Sequence, residues 1–125
     1  MSSLGNASLG VEERALLEGF VQELDARLGG ELHGVWLFGS RARGERPSRE
    51  SDVDVLVLVE DASWERKTAI HDTLQEVALG LGLQALTWSF SVHINTPAWL
   101  AQRREVESFF IAEVDRDKIV LGGMA

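Results

Sequence analysis

The chain has 125 residues, enough for one packed core and too few for two. Hydrophobic residues make up 45% and charged residues 26%, as in an ordinary globular domain, and the absence of cysteine excludes disulfides, thiolate catalysis and cysteine-held zinc. A formal net charge of −8 argues against binding along an extended nucleic-acid backbone, leaving open single nucleotides and a small acceptor of that kind.

Residues 1–10 (MSSLGNASLG) read as a loose, flexible tail and residues 11–125 as a single domain. No charged and apolar leader and no long apolar run is present, so a cytoplasmic protein without a membrane segment is expected. Over 11–28, Leu16, Leu17, Phe20, Val21, Leu24 and Leu28 recur on one helical face, and Gly29-Gly30 ends the pattern. Residues 34–38 (GVWLF) predict a buried strand that runs into a sharp turn at Gly39-Ser40.

The segment 41–51 is polar, and Gly44 and Pro47 break any long helix, so it reads as a turn and loop. It holds Arg41, Arg43, Arg46 and Arg49, four of the twelve basic residues, and is where an anion would go. From Val53 to Val59 the chain is apolar on both faces, as a central strand is, except where Asp52 and Asp54 stand. Ser63 caps a helix whose stripe is Ile70, Leu74, Val77, Ala78 and Leu81, closing near Gly80 and Gly82. Residues 86–94 alternate as a third strand, and Thr96-Pro97 starts a helix whose pattern continues over 105–114 through Val106, Phe109, Phe110 and Val114. Residues 118–121 read as a short final strand. The sum is an α/β (α+β) domain around a small mixed sheet.

Gly39 lets the backbone approach a ligand closely, and Ser40 adds a hydroxyl donor; by itself the pair is also an ordinary turn. Asp52 and Asp54, two apart on a strand, share a face with roughly 7 Å between their Cα atoms, close enough to share a hard cation such as Mg²⁺. The competing reading has them solvated at a strand end, or paired with Arg41 or Arg43.

The run WLFGSRARGERPSRESDVDVLVLVE, about a fifth of the chain, resembles the signature of the minimal nucleotidyltransferases, small members of the polymerase-beta-like nucleotidyltransferase superfamily: Gly-Ser, a short spacer, then Asp-x-Asp on the next strand. The resemblance implies the polymerase-beta-like fold, with Gly39 and Ser40 binding a nucleoside triphosphate such as ATP, Arg41 and Arg43 touching its phosphates, and Asp52 and Asp54 as catalytic residues holding Mg²⁺. It implies transfer of a nucleoside monophosphate to a hydroxyl of a partner protein or small molecule. It also implies a second possibility, an impaired enzyme acting as antitoxin or partner of a HEPN-domain protein. A homodimer stays open.

Members of that superfamily generally carry a third carboxylate on a later strand, yet no Asp or Glu lies between Glu76 and Glu105. Ser89, Ser91 and His93 form the polar face of the third strand, and Ser91 is the expected occupant of the vacated position. Trp64 and Trp99 are candidates for a partner-binding surface.

Overall fold

A computed structural model describes residues 4–47 and 52–123. Arg49, last of the basic cluster, lies outside the described residues, as do positions 1–3 of the N-terminal segment. The ordered elements are α1 (Val11–Leu28), β1 (Leu32–Phe38), α2 (Gly39–Ala42), β2 (Val53–Val59), α3 (Trp64–Leu81), β3 (Phe90–Asn95), α4 (Pro97–Glu105), α5 (Phe109–Asp117) and β4 (Ile119–Gly122).

All six apolar residues of the α1 stripe are buried, and the helix stops at Gly29, whose φ of 52° suits glycine. Ser63 caps α3 by accepting from the Arg66 amide at 3.2 Å, and Gly82 ends it in the left-handed conformation. Thr96 caps α4 in the same way, accepting from the Trp99 amide at 3.1 Å.

The four strands lie in the order β3-β2-β1-β4. β1 is antiparallel to both β2 and β4, while β2 and β3 are parallel, their crossover supplied by α3. β2 is therefore central and buried on both faces, as its apolar run, interrupted only by Asp54, predicts. Val53, Val55, Val57 and Val59 join Val35 and Leu37 in a core filled by α1 and α3. Leu56 and Leu58 face the other way and, with Trp36 and Phe38, meet Leu100 of α4 and Ile111 and Val114 of α5. The site lies at the rim of this second, thinner layer.

Four local expectations are revised. Residues 4–9, expected in a loose tail, pack on the domain: Leu4 is 1% exposed, and the Ser8 amide donates to the Arg41 carbonyl at 2.9 Å. The third strand starts at Phe90 rather than at residue 86, because β2 begins at Val53, the partner of Phe90, and offers earlier residues no ladder. Residues Gln84–Ser89 form a 3₁₀ segment instead, with Trp88 exposed. The helical pattern after Pro97 is broken: Glu107 adopts a φ of 53°, which lets α4 and α5 each lay an apolar side on the sheet but leaves Val106 and Phe109 in solvent. In α3 the end of the expected stripe, Leu81, is half exposed, whereas Thr73 is buried, donating to the Ala69 carbonyl and accepting from Arg27. Among the described residues, no helix is long and apolar enough to cross a membrane.

Candidate functional site

β1 ends at Phe38, which pairs with Asp54 across the sheet. The chain then turns at Gly39 with a φ of 77°, and a Cβ there would sit 2.5 Å from Asp54 Oδ2. A left-handed turn and a carboxylate in contact both demand glycine at this point. The two halves of the sequence motif, twelve and more residues apart along the chain, are thus in contact in space.

A cleft of about 320 Å³ opens beside this contact, near the lower end of the size range of small-molecule sites. One wall is made of Gly39, Ser40, Arg43 and Asp54, with Phe38 at its base. The opposite wall is the face of α5 that carries Phe110, Glu113, Val114 and Asp117. Asp52 stands just before β2 and is exposed, while Asp54 is half-buried. Burial, and then the negative charge of Asp52, push the Asp54 carboxyl above its ordinary range, and His93, Arg41 and Arg43 oppose this only in part.

The two arginines expected at phosphates part company. Arg41 is 5% exposed and is directed at the N-terminal segment, donating to Ser8 O at 3.0 Å and to Glu13 Oε1 at 2.8 Å. It fastens the turn to α1 and does not line the cleft. Arg43 does line it, with ion pairs to Glu45 at 2.6 Å and Asp117 at 2.8 Å. Hydrogen bonds from Arg116 and Arg43 hold the Asp117 carboxyl below the usual range, outweighing its burial.

On β3 the residue in register with Asp54 is Ser91, whose Oγ lies 3.3 Å from His93 Nε2. Among the described residues, no group of three or more His, Asp or Glu is arranged to hold a metal ion. Phe110 reads in the sequence only as part of a helical apolar pattern, and Glu113 and Asp117 do not stand out there, although their i, i+3, i+7 spacing with Val114 places all of them on one helical face. The signal was a face that mixes apolar and acidic residues. Of the two surface candidates, Trp64 is exposed, whereas Trp99 is partly buried against the α4–α5 layer.

Residues 26–96 match the family described as "Polymerase beta, Nucleotidyltransferase". The matched span contains Gly39, Ser40, Asp52 and Asp54 and stops before α4, so the α5 wall lies outside it. No curated protein matches the chain. A solved structure described as "Crystal structure of the toxin-antitoxin with AMP-PNP" is similar in fold, with a TM-score of 0.51 and 21% identity over 86% of this chain and 73% of that one.

Proposed function

Because the chain belongs to the polymerase beta nucleotidyltransferase family, we propose that it binds a magnesium-complexed nucleoside triphosphate, ATP first among them, and transfers a nucleoside monophosphate to a hydroxyl of a partner protein or small molecule, the new phosphoester forming as the α–β phosphoanhydride breaks and pyrophosphate leaves. The observation that carries the reading is the contact of Gly39 with Asp54, which sets a close-approach turn against a carboxylate at one cleft. Gly39 and Ser40 receive the triphosphate through backbone and hydroxyl donors, and Arg43 supplies positive charge on the same wall.

Asp52 and Asp54 are the residues that would hold magnesium. Their chemistry fits: two carboxylates whose mutual repulsion helps to keep Asp54 reluctant to ionise form a donor set that a hard cation relieves. Bound there, the ion would neutralise phosphate charge and favour in-line displacement. The chain's own contribution is then positioning and charge complementarity, with the acceptor brought by another molecule.

Calorimetric titration of Mg-ATP into the wild type and the Asp52→Asn, Asp54→Asn double variant tests the reading. Magnesium-dependent binding to the wild type, lost in the double variant, is expected. Absence of binding to the wild type across several triphosphates would sink it.

Ser91 in register with Asp54 favours a second reading, an impaired nucleotidyltransferase that acts as antitoxin or partner of a HEPN-domain protein. The fold likeness to a toxin–antitoxin structure is compatible with it. Under this reading Ser91→Asp creates the third carboxylate and raises transfer to an acceptor at least tenfold over wild type. A variant that still binds Mg-ATP but gains no transfer removes the case for Ser91 as the vacated position.

A further inference from the structure

We infer that Phe110, braced by Phe38 and His93, is a stacking platform for the base of the bound nucleotide; the inference rests on the nucleotide-binding reading above. The three rings form a triangle, with centroids 5.7 Å apart for Phe38 and His93, 5.6 Å for Phe38 and Phe110, and 5.9 Å for His93 and Phe110. Phe38 is buried at the base, while Phe110 is 40% exposed and His93 is exposed. Phe38 immediately precedes Gly39, so the triangle begins one residue from the turn assigned to phosphates.

The cleft offers both kinds of surface that a nucleotide needs. Donors and a cation stand beside the Asp54 carboxylate on the wall of Gly39, Ser40 and Arg43, and the α5 wall adds the aromatic and aliphatic surface of Phe110 and Val114 to the carboxylates of Glu113 and Asp117. A phosphate needs the first wall, and the flat apolar face of a base needs the second. Phe110 meets Phe38 edge-on, at an interplanar angle of 88°, so the rings support one another rather than ringing an opening. That geometry suits a planar ligand laid on one ring better than a compact cation enclosed by several.

Every base has a π-face, so a platform of this kind tolerates different bases and grips the larger purine more firmly than a pyrimidine. A preference of purine over pyrimidine is therefore expected of this chain, with ATP bound ahead of CTP.

Calorimetric titrations of Mg-ATP, Mg-CTP and Mg-tripolyphosphate into the wild type, Phe110→Ala and Phe110→Trp separate the outcomes. The wild type is expected to bind Mg-ATP more tightly than Mg-tripolyphosphate. Phe110→Ala is expected to weaken Mg-ATP about tenfold or more and to leave Mg-tripolyphosphate within about twofold, and Phe110→Trp to retain Mg-ATP affinity. Equal loss of both ligands in Phe110→Ala would make the ring structural, and unchanged Mg-ATP affinity would remove it from the site; either overturns the platform. Wild type that binds Mg-tripolyphosphate as tightly as Mg-ATP keeps the phosphate site and refutes the platform. Wild type that binds neither refutes the nucleotide reading, and the platform with it.

Discussion

Asp54→Asn is expected to weaken magnesium-dependent nucleotide binding by about a hundredfold or more while making the free protein more stable at pH 7. Loss of a direct carboxylate ligand costs more affinity than the roughly 10–100-fold attached to outer partners of a metal. The gain in stability has a separate origin. Burial and the charge of Asp52 raise the Asp54 carboxyl above its ordinary range. A group whose folded pKa is raised stabilises the fold below its unfolded value, about 3.9 for aspartate, and that contribution is lost as pH rises through the folded pKa. At neutral pH the ionised Asp54 therefore opposes folding, and the isosteric amide removes the opposition. Thermal melts of both proteins between pH 3 and 8 check the sign: the variant leads at neutral pH, and the lead vanishes toward pH 3. A variant less stable at pH 7 would reveal a native partner that stabilises the Asp54 charge.

Glu13→Ala carries the largest expected loss of stability, on the order of 3 kcal/mol, or roughly 10 °C in Tm for a domain of this size. The bridge it removes is well enclosed, with the Arg41 side chain 6% and the Glu13 side chain 16% exposed. Truncating Glu13 removes one side of an enclosed ion pair and leaves the other charge buried, the costly way to break such a pair. Burial is the largest influence on the Glu13 carboxyl and works upward, but the Arg41 hydrogen bond, the Gly10 amide and the Arg41 charge together bring it below its ordinary value. A carboxylate with a lowered folded pKa stabilises above its unfolded pKa, and this is lost as pH falls through the folded value. Chemical denaturation at pH 7 and at pH 3.5 should show the gap between wild type and variant narrowing at the lower pH. An undiminished gap would assign the loss to packing rather than to the ion pair.

These two carboxylates also mark how far the sequence could be read. The α1 stripe and the apolar run of β2 were legible because each depends on a period within one element, and all six stripe residues are buried. Gly39, Ser40, Asp52 and Asp54 stood out as residue types at a telling spacing. The contact of Gly39 with Asp54 depends on the pairing of Phe38 with Asp54, a long-range register that composition does not state. Arg41 and Arg43 looked equivalent in a polar loop. Because α2 takes up only Gly39–Ala42, the helical turn sends Arg41 into the interior toward Glu13 and leaves Arg43 just past its end, over the cleft.

The α5 wall was the hardest part to foresee. Its approach to Asp54 depends on the break at Glu107, where a non-glycine residue holds a positive φ, and no glycine or proline announces that break. Residues 86–89 were misread for a related reason: alternation marks a strand only where a neighbour exists to pair with it.

The sheet separates two layers of unequal thickness. α1 and α3 bury an extensive core on one side, whereas α4 and α5 hold the other through Leu100, Ile111 and Val114. The thin layer is the part of the molecule that opens at least cost, since opening free energy follows buried apolar contact. Its outer helix forms one jaw of the cleft, and the Arg43–Asp117 bridge joins that jaw to the other. A ligand held between the jaws thus acts as a clasp on the weakest seam, adding to the fold in proportion to the logarithm of its concentration over its dissociation constant. Occupancy of the cleft and integrity of the C-terminal layer are in this way one equilibrium.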